Sequence, residues 1–314
     1  MKKIVPRWMK YLYVSVSVIF LVIIFAEHNN MLFELIVSAA VYILFGGILA
    51  GIGLVAITRS KAALSGLLIF LFAASAVCCN TVSMKSIQGK NSEIVKEVSI
   101  LQLNVYLFNR QKRKTIDLIL KKNPHIVTLH EISRNWDGIL NVLMREKFPY
   151  RVSVPGSYFG ISLYSRYPVK QHCTLAIDKT VVLLSEIMIG KKAVTLITYH
   201  SYAPLNEGKL IFRNNQINRL IPVINEIPGP KIVTGDFNAV PWSWIMKKFK
   251  RKTALSDSRM SLLNTYPSKG FLKVPIDYIM FSEHFKTVRK SSLLATTSDH
   301  LGIITTCGLK NNDM

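Results

Sequence analysis

Six places along the chain carry residue types that chemistry uses, and each stands beside a short apolar run. They are Asn104, Glu131, His200, Asp236 with Asn238, Asp277, and Asp299 with His300. Polar side chains placed directly after buried strands are held by a rigid sheet and can share a cleft. Carboxylates are the preferred ligands of a hard cation such as Mg2+. An Asn amide can donate to a phosphate oxygen, and two histidines can give and take protons near neutral pH. Together these groups supply what metal-assisted attack of water on a phosphate ester requires. Singly, each also has an ordinary explanation: Gly235 to Asn238 reads as a turn whose Asp and Asn bond their own backbone, and His130 with Glu131 as a surface pair.

The elements that must position these groups alternate between strand and helix. Runs at 98–105, 126–129, 160–164, 193–199 and 231–234 are short, rich in Val and Ile, and bounded by polar or turn residues, which predicts buried strands. Between them, Ile116, Ile119 and Leu120 recur at helical spacing within 113–121, and Phe212, Gln216, Leu220 and Val223 do so within 209–225. Mixed α and β over roughly 220 residues suits one large domain. Composition divides the chain into an apolar, expected membrane segment at 1–84, a polar linker at 85–96 and a basic body at 97–310, the candidate catalytic domain. No internal repeat or low-complexity tract is visible. Cys78, Cys79, Cys173 and Cys307 make neither a disulfide framework nor a Cys-x-x-Cys metal motif.

Seven motifs then follow one another in a known order. They are Leu101-Gln-Leu-Asn104, His130-Glu131, the run Gly-Ile-Ser-Leu-Tyr-Ser-Arg-Tyr-Pro at 160–168, Tyr199-His200, the run Val-Thr-Gly-Asp-Phe-Asn-Ala-Val-Pro-Trp-Ser at 233–243, Pro275-Ile-Asp-Tyr-Ile279 and Ser298-Asp-His300. From about Val98 to Cys307 the chain resembles the endonuclease/exonuclease/phosphatase superfamily, which includes deoxyribonuclease I, abasic-site endonucleases, neutral sphingomyelinases and inositol-phosphate phosphatases. With its apolar front it looks like the bacterial membrane-anchored type.

The resemblance implies an α/β fold, a four-layer sandwich of two packed, mainly antiparallel sheets with outer helices, preceded here by three transmembrane helices. It also implies a metal-dependent phosphoric ester hydrolase using Mg2+, with Mn2+ as the other candidate ion. By resemblance, Glu131 is the main metal ligand, helped by Asn104 and, at a second position, Asp299. Asp236 and Asn238 orient the attacking water and hold the phosphate. His300, oriented by Asp277, contacts the phosphate or activates water, and His200 protonates the leaving oxygen. Two positions depart from the pattern. Tyr106 stands where abasic-site endonucleases carry an acidic ligand, which weighs against that branch, and His130 stands where Gln is usual. His125, His172 and His284 read as surface or loop residues.

The front of the chain is different material. Apolar stretches at about 11–27, 35–57 and 62–82 are each long enough to be read as a membrane span. Lys2, Lys3, Arg7 and Lys10 precede the first, the loop at 27–30 carries no Lys or Arg, and Arg59 and Lys61 lie between the second and third. Basic loops face the cytoplasm, so the expectation is a multi-pass protein of the cell (inner) membrane with an extracytoplasmic catalytic domain. A cleaved secretory signal is disfavoured because two further spans follow the first apolar run.

Composition bounds the partners. The chain is 50% hydrophobic, which excludes intrinsic disorder, yet carries 40 Lys and Arg against 18 Asp and Glu, net +22. Of these, 32 basic and 16 acidic residues lie beyond Lys90, giving the body +16. Basic residues cluster at 110–114 and 247–252, with Trp242 and Trp244 beside the second cluster. Such a surface suits stacking on single-stranded nucleic acid or resting on an anionic lipid surface. The expected partners are the lipid bilayer and a phosphate-ester substrate, either nucleic acid or phospholipid, and no protein partner can be inferred. A non-catalytic polyanion- or lipid-binding membrane protein is the alternative. It is disfavoured because Glu131, His200, Asp236, Asn238 and His300 are all present.

Overall fold

The computed structural model describes residues 5–82 and 94–311. Most of the expected linker at 85–96 lies outside the described residues, and its last three positions already open the first strand. The expected membrane segment contains α1 (Arg7–Phe25), α2 (Met31–Ser38), α3 (Ala40–Thr58) and α4 (Lys61–Thr81). Among the described residues, three helices, α1, α3 and α4, are long and apolar enough to cross a bilayer. Gly47 lets them approach closely, since a Cβ there would stand 2.7 Å from the Phe70 ring. Tyr13 donates its hydroxyl to the Gly47 carbonyl at 2.8 Å.

The apolar stretch at 35–57 is not one helix. Asn30 caps a separate α2, its Oδ1 accepting from Phe33 N at 3.2 Å, and the chain turns at Ala39 before α3 begins. The turn lets α2 dock on the body, where Glu34 and Val37 are buried. Hydropathy cannot reveal this break, because both sides of it are apolar.

Beyond the membrane segment run β1 (Ile94–Asn104), α5 (Lys112–Lys122), β2 (Ile126–His130), α6 (Arg134–Leu143), β3 (Tyr150–Val154), β4 (Ile161–Ser165), β5 (Val169–Ile177), β6 (Thr180–Ile189), β7 (Lys192–His200), α7 (Glu207–Glu226), β8 (Lys231–Asp236), α8 (Trp244–Thr253), β9 (Ser256–Asp257), β10 (Asp277–Phe281), β11 (Phe285–Leu294) and β12 (Gly302–Lys310). Two six-stranded sheets form, in the orders β11-β12-β1-β2-β4-β3 and β5-β6-β7-β8-β10-β9. Each has one parallel pair at its centre, β1 with β2 and β7 with β8, and antiparallel pairs elsewhere. The sheets are therefore mixed, with an antiparallel majority.

Strand alternation builds four layers. Val98, Ile100, Ile126, Leu196, Ile232 and Ile279 meet between the sheets. Leu101, Leu103, Val127 and Leu129 point outward onto α5 and α6, and Ile197, Tyr199 and Val233 onto α7 and α8. The inward face changes character along each central strand. In β1 the residues after Ile100 on that face are Gln102 and Asn104; in β8 those after Ile232 are Thr234 and Asp236. The apolar core thus gives way to polar side chains toward one end of the sandwich.

The body sits on the end of the helix bundle where α1 and α4 finish and α3 begins. Phe20, Ile24, Val37, Ala73 and Val77 pack in one cluster with Val240, Trp242 and Ile276. Lys247 Nζ donates to Ile24 O at 2.9 Å and Lys250 Nζ to Asn80 O at 2.6 Å. These two lysines satisfy carbonyls in the last turns of α1 and α4, where a positive charge also complements the helix dipole. The two tryptophans expected to lie on lipid or bases do neither. Trp242 is 1% and Trp244 9% exposed, and their indoles donate to Val37 O at 2.6 Å and His28 O at 2.7 Å.

Candidate active site

The polar ends of the two central strand pairs converge. In register, Asn104 of β1 lies opposite His130 of β2, and His200 of β7 opposite Asp236 of β8. Gly235 permits the second pairing, because a Cβ there would come within 1.9 Å of Tyr199 O. Asn104 spans the two sheets, its Nδ2 donating to Glu131 Oε1 at 3.0 Å and to Asp236 Oδ2 at 3.2 Å. Leu107 N donates to the other Glu131 oxygen at 2.7 Å. Asp236 Oδ1 accepts from Asn238 N at 2.9 Å, and the Asn238 amide donates to Ser201 O at 3.1 Å. Tyr106, Glu131 and Asn238 all hold positive φ, at 63°, 64° and 48°. Left-handed backbone at three non-glycine residues around one cleft is local strain held in place by these hydrogen bonds.

Two histidines flank one carboxylate. His200 Nε2 lies 3.7 Å and His300 Nε2 3.6 Å from Asp236 Oδ2. His300 Nδ1 faces Asp277 Oδ2 at 2.9 Å, which leaves Nε2 for the cleft. Asp277 opens β10, whereas the sequence suggested a position behind a strand. It reaches the site because β10 runs antiparallel to β8, so that Asp277 pairs with Asp236. Ser298 ties the 295–301 loop to β1, its Oγ donating to Asn104 O at 2.7 Å and accepting from His300 N at 3.1 Å.

Burial sets the protonation states. Desolvation disfavours the His300 imidazolium, but Asp277 and Asp236 outweigh it and push its pKa up to about 10. Desolvation lowers that of His200, leaving it neutral. Asp236 is raised to about 7, first by burial and then by the like charge of Asp277. Asp277 would also be raised by burial, but His300 and hydrogen bonds from His300, Thr265 and Gln102 bring it below the usual carboxylate range. Asp299 is raised by burial and by the negative charge of Glu131.

These states bear on where a cation fits. Asp236, Asp277 and His300 can bring ligand atoms within 4.8 Å of one another. They make a poor cage, because His300 holds a proton on the side facing Asp277, and Asp277 Oδ1 accepts from Gln102 Nε2 at 2.9 Å. The set at Glu131, Asn104 and Asp299 fits a hard divalent cation better. It is rich in oxygen, lines the cleft, and contains two carboxylates whose mutual repulsion a cation would relieve.

All eight residues singled out in the sequence meet here, and all but Asp277 line one cleft of about 820 Å³. Gln102 and Arg213, which support the site, were not singled out in the sequence, and His130 was read only as a departure from the family pattern. Gln102 braces Asp277 from behind; its signal was its place two residues before Asn104 on the inward face of a strand. His130 is fully buried behind His200, with ring centroids 5.8 Å apart, and desolvation lowers its pKa to about 3. Arg213, fully buried on α7, donates to Asn238 O at 2.6 Å, and no local pattern distinguishes it from the other basic residues.

The family model described as Endonuclease/Exonuclease/phosphatase family matches residues 101–300, well over half of the chain and spanning every site residue from Asn104 to His300. The chain belongs to that family. Members of the endonuclease/exonuclease/phosphatase family are metal-dependent phosphoric ester hydrolases. No curated protein matches the chain. Among solved structures, the family member from Bacteroides vulgatus is 18% identical with a TM-score of 0.58, covering 68% of this chain and 100% of that one. TDP2 from D. rerio, complexed with single strand DNA product, is 16% identical with a TM-score of 0.59, covering 68% and 99%. The human Nocturnin catalytic domain with bound sulfate anion is 18% identical with a TM-score of 0.56, covering 72% and 99%. At these identities the likeness is one of fold.

Proposed function

We propose that this family member is a membrane-anchored, Mg2+-dependent phosphodiesterase whose cleft opens on the extracytoplasmic side of the cell (inner) membrane. The observation that carries the chemistry is Asp236 set between two histidines, their Nε2 atoms 3.7 and 3.6 Å from its Oδ2, in one cleft with Glu131, Asn104 and Asp299. Glu131, Asn104 and Asp299 are the residues that would hold the cation. When bound, the cation supplies positive charge against the phosphoryl oxygens as negative charge builds on them.

The chain's own groups do the rest. Asp236 and Asn238 hold the attacking water in line with the phosphorus. His300, kept as an imidazolium by Asp277 and Asp236, contributes a second positive charge beside the phosphate. The resemblance cast His200 as the acid that protonates the leaving oxygen. Its lowered pKa instead favours accepting a proton first, from the attacking water, and returning it to the departing oxygen afterwards.

The sidedness rests on charge and on an odd number of spans. Lys2 and Lys3 precede α1, Arg7 and Lys10 lie in its first turns, and three crossings would put the body on the opposite face from them. The test of activity is hydrolysis by the purified full chain with Mg2+, with EDTA, and in Glu131→Ala. An active Glu131→Ala protein would overturn the enzymatic reading and favour a binding role. A reporter joined after Lys90 that works only in the cytoplasm would overturn the orientation.

A further inference from the structure

One wall of the active-site cleft does not belong to the catalytic domain. Met31, Glu34, Leu35 and Ser38 of α2 line it together with Glu131, Asp236 and His300. This short helix joins the end of α1 to the start of α3, so it lies at the level where the bundle meets the body. Met31 and Leu35 give the wall an apolar edge, continued by Tyr158, Phe159, Leu205 and Val274.

The adjacent loop points the same way. Tyr266 and Val274 pair at its base and line the cleft. Its tip presents Phe271, 96% exposed, and Leu272, 69% exposed, between Lys269 and Lys273. Tyr42 of α3 fastens this tip to the bundle, its hydroxyl donating to Phe271 O at 2.9 Å and accepting from Lys273 N at 2.7 Å. Two exposed apolar side chains beside Lys269, held against the first turn of α3, have the composition of an interfacial anchor, while the Lys273 ammonium donates back to Ser268 O at 2.8 Å. Meanwhile the tryptophans and two of the lysines that suggested a nucleic-acid groove are used in joining the body to the bundle.

Resting on the phosphodiesterase reading, we propose that the substrate is a phosphodiester lipid of the bilayer. Its phosphate lies among Glu131, Asp236 and His300, and its acyl chains leave along Met31 and Leu35, between α2 and the 266–274 loop, into the membrane. The oxygen of one water bonds to phosphorus and one P–O ester bond breaks. One water proton reaches the departing alcohol oxygen and the other is released, leaving a phosphate monoester and an alcohol with no redox change.

The test uses the full chain in nanodiscs with Mg2+. Three substrates are compared: phosphatidylglycerol with phosphatidylethanolamine in the discs, bis-p-nitrophenyl phosphate as a diester without tails, and a single-stranded oligodeoxynucleotide. The lipids are expected to be hydrolysed. The ratio of lipid to tail-less turnover is expected to fall about tenfold in Leu35→Asp and again in Leu205→Asp, the loss set by one Leu-sized apolar contact. Both side chains are exposed, so either variant can be made without breaching a core. Cleavage of the oligonucleotide with intact lipids, or an unchanged ratio in both variants, overturns the lipid proposal while leaving the hydrolase standing. Failure of the wild type on all three substrates, matching Glu131→Ala, overturns both.

Discussion

Glu34 of α2 and Arg213 of α7 form a buried ion pair between the N-terminal helices and the body, Oε1 to Nη1 at 2.7 Å, with the Arg213 side chain 0% and that of Glu34 3% exposed. The same Arg213 nitrogen donates to Asn238 O, while Nε and Nη2 bind Asn214 Oδ1 at 3.1 and 2.8 Å. Asn238 of the candidate site is therefore held by a guanidinium whose charge is balanced from α2. Arg213→Met leaves Glu34 as an unpaired buried charge and is expected to cost about 3–5 kcal/mol of stability. Arg213→Lys keeps the charge but loses the fork, and should lower kcat more than it raises KM. If Arg213→Lys has wild-type kcat, Arg213 has no part in positioning Asn238.

Behind the histidine, Asp277 is shared by His300 and Gln102 at 2.9 Å each. Asp277→Asn removes the nearer of the two carboxylates that keep His300 charged, and kcat is expected to drop by about two orders of magnitude or more. Gln102→Leu leaves the charge in place but frees the Asp277 carboxylate to turn. It should lower kcat by about tenfold, with a shift in the pH profile that a purely structural role would not produce. Equal pH profiles for wild type and Gln102→Leu would remove Gln102 from the positioning set.

The contact between the body and the N-terminal helices bears separately on stability. Trp242 fills the cluster that joins Val240 and Ile276 to Ile24, Val37 and Val77. Trp242→Ala opens a cavity there and loses the hydrogen bond to Val37 O, which should destabilise the full chain by about 3–5 kcal/mol. A fragment starting at Ile94 lacks that partner surface altogether, so it should unfold at a lower temperature than the full chain in detergent. Equal melting temperatures would mean that body and bundle are energetically independent.

The candidate site residues were legible because each follows or precedes a short Val- and Ile-rich strand within a motif whose order matches the family's. Strands β2, β4 and β8 and the C-terminal parts of β1 and β7, buried on both faces, announce themselves as apolar runs. The edge strand β5 does not, since nearly all of its residues are exposed. What the sequence hid was long-range pairing. Glu34 reads as a stray charge and Arg213 as one more basic residue until the fold sets them 2.7 Å apart. Trp242 and Trp244 were misread for the same reason. Tryptophan beside lysine describes an interface, but composition does not say whether the facing surface is lipid, nucleic acid or another part of the chain.

The pH dependence of the metal-free protein follows from the two shifted groups at Asp236. His300 has a folded pKa of about 10 against an ordinary 6.5, so its contribution to stability is complete below about 6.5 and is lost as pH rises toward 10. Asp236, at about 7 against an ordinary 3.8, also holds a proton more tightly when folded and acts in the same direction up to that pH. Buried His130 and His200 have lowered values and act in the opposite direction, but only below their ordinary 6.5. Lys250, lowered to about 8 by burial, opposes only above that. Between about 6.5 and 8, then, the melting temperature in EDTA should fall as pH rises, and His300→Gln should flatten the slope. Mg2+ should raise the melting temperature across this window, because a cation held by Glu131, Asn104 and Asp299 in the folded chain alone would stabilise that state. A melting temperature in EDTA that climbs across this window would show that His300 is not held as an imidazolium by its two carboxylates.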